Sequence, residues 1–185
     1  NISETWTQIG DDIDAESVED RFGWSVSLSS YGNVVAIGAP YNNGNGNRSG
    51  HVRIYENISG TWIQIGEDIN GEEEYDESGS SVSLSSDGSI VAIGAQDNNG
   101  NGNHSGHVRI YKNISGVWTQ IGEDINGEVE EDRSGASVSL SSDGSVVAIG
   151  AIGNDEYYSN SGHVRIYENI SGDWTQVGSD IDGEE

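Results

Sequence analysis

The sequence contains no cysteine and only seven lysines and arginines, set against 32 aspartates and glutamates. Without cysteine there is neither a disulfide framework nor a zinc–thiolate site, and the redox compartment leaves no mark on the chain. The formal net charge of −25 repels nucleic-acid phosphates and anionic membranes alike, so neither is expected as a partner, whereas divalent cations are attracted. Apolar runs last only a few residues, too short for a membrane span, and no membrane insertion is expected. No signal peptide is visible, and because Asn1 falls inside a repeat the chain is expected to be a portion of a longer one. Hydrophobic residues make up only 32%, yet the regular periodicity argues for order rather than disorder.

What the sequence has in abundance is repetition. Trp6, Trp62, Trp118 and Trp174 recur every 56 residues, and Gly23, Gly79 and Gly135 keep the same interval, as do His51, His107 and His163. The copies therefore run 1–56, 57–112 and 113–168, and residues 169–185 begin a fourth.

One copy predicts four short strands and no helix. Ser80–Ser85 alternates small polar with apolar residues, the period of a half-buried strand. Ser86-Asp87-Gly88 reads as a tight turn into an apolar strand over Ile90–Ala95. The Asn/Gly-rich stretch from Asp97 to Gly106 is a surface loop. His107–Tyr111 makes a third strand with Val108 and Ile110 on one face, and Trp118–Gly122 makes a fourth after a turn at Asn113–Gly116. Four antiparallel strands per repeat of this length give an all-β chain of tandem four-stranded β-propeller blades, stacked on one another with the tryptophans between them. The competing architecture is an open linear stack of the same units.

Arg21-Phe22-Gly23-Trp24-Ser25-Val26, then Val35-Ala36-Ile37-Gly38-Ala39-Pro40, then Gly50-His51-Val52-Arg53-Ile54-Tyr55 resemble an FG-GAP repeat, the blade of the integrin alpha-chain propeller. The second copy departs to Ser78-Gly79 and Gly94-Ala95-Gln96, and the third to Ser134-Gly135 and Gly150-Ala151-Ile152. The resemblance implies an extracellular or cell-surface protein used in adhesion and ligand binding, often with calcium in an Asp-rich loop between the first two strands. Here that loop is Ser85-Ser86-Asp87-Gly88 or its equivalent, and its single carboxylate cannot supply a six- to eight-oxygen calcium shell.

A different acidic segment recurs, with oxygen donors at alternate positions: Asp68, Asn70 and Glu72, then Asp124, Asn126 and Glu128. It is either a calcium loop or a solvated acidic turn. Asn47, Asn57, Asn103, Asn113 and Asn169 head Asn-x-Ser sequons in predicted turns and loops, and so are candidate glycosylation sites; Asn1 heads another. His51, His107 and His163 read as structural, because Arg53, Arg109 and Arg165 stand two residues away and oppose a cation. Every Ser/His/Asp trio is copied with the repeat, whereas catalytic groups are normally unique, so no enzyme is expected. The expected function is an extracellular, non-catalytic structural scaffold that self-associates or continues as a longer array. The alternative is an adhesion module that binds a glycan or protein through blade-tip loops, where Tyr41, Tyr157 and Tyr158 are the only aromatics.

Overall fold

A computed structural model describes residues 5–154 and 161–184; Asn1, Tyr157 and Tyr158 lie outside them. The first sheet contains β1 (Ser25–Leu28), β2 (Val34–Ala39), β3 (His51–Ile58), β4 (Thr61–Gln64) and β5 (Ile69–Asn70). The second contains β6 (Ser81–Leu84), β7 (Ile90–Ala95), β8 (His107–Ile114), β9 (Val117–Gln120) and β10 (Ile125–Asn126). The third contains β11 (Ser134–Leu140), β12 (Val146–Ala151), β13 (His163–Ile170), β14 (Asp173–Gln176) and β15 (Ile181–Asp182). Each is an antiparallel meander whose long third strand carries two short strands on its outer side. In the first sheet, β4 pairs with Tyr55–Ile58 and β5 with His51 and Val52. The outer strand of each four-stranded blade is thus one strand broken in the middle. The acidic segment, expected as a turn, supplies its second half. The sheets are also phased differently from the sequence copies, the first running from Ser25 to Asn70.

Local chemistry accounts for the turns. β3 is longer than the pattern of His107–Tyr111 suggested for its equivalent, because the hairpin needs only two loop residues. Ser59 and Gly60 both take positive φ (55° and 93°), as do Ser115 and Gly116 (54° and 87°). Two consecutive left-handed residues form the turn whose twist matches the flanking strands. Asn57 Oδ1 accepts a hydrogen bond from the Gly60 amide at 3.0 Å, which fixes the turn.

The core lies between sheets. Val34, Ala36, Val52, Ile54 and Ile69 of the first sheet meet Val82, Leu84, Val91, Ile93 and Tyr111 of the second. Val108, Ile110 and Ile125 meet Val147, Ile149 and Tyr167 in the same way. Trp62, Trp118 and Trp174 fill the space between units as expected, whereas Trp6 is fully exposed. Each of the three also donates a hydrogen bond back to the preceding unit: Trp62 Nε1 to Ile9 O, Trp118 Nε1 to Ile65 O and Trp174 Nε1 to Ile121 O, at 2.8–2.9 Å.

Near the inner strands the sheets approach so closely that side chains are excluded. Ser25 Oγ donates to Gly79 O and Ser81 Oγ to Gly135 O, both at 2.7 Å. A Cβ on Gly38 or Gly94 would lie 2.1 Å from that same carbonyl oxygen. The two glycines of the repeat signature therefore serve one contact, the second glycine of one sheet against the first of the next.

The stack is open at both ends. Val26 and Leu28 are 64% and 61% exposed, whereas Val82 and Leu84, at the same positions in the second sheet, are 9% and 7%. At the other end Val164 and Ile181 are 37% and 56% exposed, while Val52 and Ile69 are 0% and 6%. Part of the first face is covered by Ile13 and Phe22, which pack with Val35, Ile37, Tyr55 and Trp62. No helix among the described residues is long and apolar enough to cross a membrane.

Candidate metal centres between the sheets

The register of β3 with β5 places His51 opposite Asn70, and so brings Asp68, just before β5, beside the imidazole. His51 Nδ1 lies 3.5 Å from Asp68 Oδ2, and Glu16 arrives from the preceding segment. The same assembly recurs as Glu72, His107 and Asp124, and as Glu128, His163 and Asp180; in all three groups the ligating atoms lie within 4.8 Å of one another. Each group spans a junction. The glutamate comes from one unit, the histidine and aspartate from the next.

The arginine two residues after each histidine is buried in the same place. Arg53 binds both oxygens of Asp68, at 3.0 and 3.2 Å, and also pairs with Glu16. Arg109 contacts Glu72 Oε1 at 3.2 Å and donates to the Asn70 carbonyl at 2.8 Å; Arg165 repeats this with Glu128 and the Asn126 carbonyl. Gln64 and Gln120 each donate to the Oδ1 of their aspartate at 2.7 Å. Two carboxylates outweigh one guanidinium, so a cluster with a neutral imidazole keeps net negative charge.

His51 and His107 are neutral imidazoles at physiological pH. Burial pulls His107 down to about 4, assisted by Arg109 and opposed by Asp124 and Asp76. Burial also lowers His51, against the pull of Asp68 and Asp20. Glu72 is raised, first by burial, with Arg109 acting against it. His107 Nε2 is buried with no hydrogen-bond partner, and the 3.6 Å from its Nδ1 to Asp124 is too long for a hydrogen bond. A deprotonated imidazole with an uncommitted nitrogen beside two carboxylates is a donor set for a divalent cation.

The structure distributes the acidic residues of the sequence segment over neighbouring sites. Asp68 joins the His51 cluster, Glu72 the His107 cluster, and Asn70 contributes only its main-chain oxygen, to Arg109. Asp124, Asn126 and Glu128 divide in the same manner. The histidines were passed over in sequence because Arg53 and its equivalents stood close by. The constant separation of His51 from Asp68, repeated in every copy, was the available signal.

Among the sequon asparagines, Asn47 and Asn103 are exposed, their amides donating to Tyr75 Oη and Glu131 Oε1 at 2.7 and 2.8 Å. Asn57, Asn113 and Asn169 use Oδ1 to fix their turns, and the amide nitrogens of Asn57 and Asn169 are buried. Three shallow recesses recur beside the outer strands. One of about 370 Å³ is lined by Asp68, Ile69, Asn70, Tyr111 and Trp118, and its counterparts involve Tyr55 with Trp62 and Tyr167 with Trp174.

The FG-GAP repeat family matches residues 14–55 of this chain; no curated protein matches it in sequence. Among solved structures the fold is similar to a candidate 6-phosphogluconolactonase from Bacteroides uniformis, with 16% identity and a TM-score of 0.56 over 83% of this chain and 39% of that one. It is similar to hydrazine synthase of Kuenenia stuttgartiensis, with 13% identity and a TM-score of 0.53 over 85% of this chain and 36% of the other. Sqt1 of Saccharomyces cerevisiae gives 16% and 0.54, over 87% and 36%. The chain spans less than two fifths of each of these structures, and at such identities the likeness is one of fold.

These findings correct the expectation of a non-catalytic structural scaffold. That reading, and the exclusion of an enzyme with it, rested on every Ser/His/Asp trio being copied with the repeat and on the arginines beside the histidines. The fold nevertheless assembles three histidine–carboxylate clusters able to hold a metal ion. The supposed veto by Arg53, Arg109 and Arg165 fails because each cluster sets two carboxylates against one guanidinium.

Proposed function

We propose that this chain binds divalent metal ions at its inter-sheet His–Asp–Glu clusters and that the metal-bound water hydrolyses an ester or lactone. The observation that carries the reading is the threefold recurrence of a buried imidazole with two carboxylates. One nitrogen and two oxygen donors leave a coordination position open, and a metal ion there brings a bound water toward ionisation near neutral pH. Mixed imidazole and carboxylate donors favour zinc or manganese over calcium, which prefers an all-oxygen shell. The glutamates are about half exposed, giving solvent and substrate access, and the Tyr–Trp recesses lie beside the aspartates. The chemistry implied by the names of similar folds supports hydrolysis only as analogy.

Metal analysis by mass spectrometry after dialysis against zinc or manganese is expected to find about three ions per chain, one for each cluster. The pair His107→Ala and Asp124→Asn is expected to remove one of them. Chelation is expected to abolish hydrolysis of a chromogenic ester and a six-membered lactone, and the metal to restore it. A chain that retains no metal sinks the proposal; one that retains metal but is inert toward both substrates sinks its hydrolytic half.

The exposed sequons Asn47 and Asn103 support work outside the cytosol, with these as the accessible attachment points. We also infer that a second copy covers the open face of the third sheet, because Val164 and Ile181 repeat residues that elsewhere accept a following sheet. The segment around Ile9, now bonded to Trp62, would have to yield. Light scattering is expected to give a mass above 19.7 kDa, and the Val164→Asp, Ile181→Asp double variant the monomer value; a native monomer would rule the contact out.

A further inference from the structure

The three copies diverge most at one rim. Trp24 is replaced by Ser80 and Ala136 in the later copies, Tyr41 by Asp97 and Gly153, and Arg48 by His104. In the first copy these residues converge. Trp24 and Tyr41 stack with ring centroids 6.4 Å apart and an interplanar angle of 16°. The Arg21 guanidinium lies 3.9 Å from the Tyr41 centroid and 5.2 Å from that of Trp24, and Arg48 lies 4.2 Å from Tyr41. Both arginines are exposed.

In a chain with seven cationic side chains, this convergence is selective. Arg53, Arg109 and Arg165 are buried in the metal clusters, and two of the remaining four meet on one tyrosine. Stacking on an aromatic face occupies the flat side of a guanidinium and leaves its N–H edge free for an anion. Beside Arg48 opens a recess of about 390 Å³, lined also by Tyr41, Tyr75, Asn43, Asn47 and Glu19. Its walls are amides, phenols and a carboxylate, groups that exchange hydrogen bonds with hydroxyls, and its volume is that of a small-molecule site. Glu77 is a weak competitor for Arg48, lying 3.9 Å away; burial and the adjacent Asp97 push it up to about 7.

We propose that this rim binds a small sugar acid, with the carboxylate on the N–H edges of Arg21 and Arg48, which Tyr41 holds in place, and the hydroxyls on Asn43, Asn47 and Tyr75. The site is independent of the metal clusters. A glycan on Asn47 and a ligand here exclude each other.

Titration of unglycosylated protein with galacturonate, read by calorimetry and by Trp24-sensitive fluorescence, is expected to show one site per chain. Arg48→Gln and Tyr41→Ala are each expected to weaken it about tenfold or more, the scale of one charge-assisted hydrogen bond. Arg133→Gln, the third-copy counterpart of Arg21, is expected to leave affinity unchanged, and thermal melts establish that each variant is folded. Arg48 and Tyr41 lie on the surface loop, so these substitutions spare the core. Equal affinity for neutral galactose would overturn the role of the arginines, and equal affinity for a glutamate peptide would overturn the choice of a sugar. No binding of galacturonate would overturn the site itself.

Discussion

Gly94→Ala is expected to destabilise the protein by about 3 kcal/mol, the upper part of the range for overpacking, while Gly150→Ala costs far less. The two glycines occupy the same position in successive copies. At Gly94 the added methyl group would lie 2.1 Å from the Gly135 carbonyl oxygen, main chain of the next sheet that cannot rotate away. At Gly150 no following sheet is present, and the nearest obstacle is Ser137 Oγ at 2.4 Å, the end of a side chain that can rotate away. Urea melts of the two variants check this. Equal losses would mean that the glycine is required by its own strand and not by the junction.

Stripped of metal, the protein is expected to lose about 3 kcal/mol as pH falls from 6.5 to 4, through His107 alone. Its folded pKa of about 4 lies below the ordinary 6.5, chiefly because the ring is buried. The unfolded chain therefore takes up the proton first. The stability is fully present above 6.5 and is lost as pH falls through the folded value. His51 is shifted in the same direction. Glu77 acts oppositely, since a carboxyl raised to about 7 favours the folded state below its unfolded pKa and loses that contribution as pH rises through 7. Replacing His107 with glutamine is therefore expected to flatten or reverse the acid slope, measured by denaturant melts in chelator at pH 7, 5.5 and 4. A variant with the wild-type slope would place the acid sensitivity elsewhere.

The strands were legible in sequence because burial by alternate faces leaves a period-two trace: Val82 and Leu84 face one neighbour while Ser81 and Ser83 bond to the other. Three of the inter-sheet tryptophans could be read from their spacing, and a turn near Ser115-Gly116 from its composition, though not that only these two residues form the loop. The break in the outer strand could not, since β5 is two residues long and its one buried side chain, Ile69, is surrounded by polar residues. The metal clusters escaped for a deeper reason. They depend on the pairing register of His51 with Asn70 and on a glutamate delivered from the neighbouring unit, neither of which a local pattern specifies. Judged along the chain, Arg53 looked like an unbalanced charge beside His51; in the fold it is held by Glu16 and Asp68. At the first-copy rim, the sequence marked Tyr41 as irregular but gave no sign that Arg21 and Arg48 would meet on it.

The tryptophan bonds that tie each unit to the one before it also determine how the stack comes apart. Trp118 Nε1 reaches Ile65 and Trp174 Nε1 reaches Ile121, and the core clusters likewise join adjacent sheets. Order in such a chain is a nearest-neighbour property that propagates or frays one unit at a time. The second sheet, packed on both faces, is the cooperative heart of the molecule, and the outer two unzip toward it.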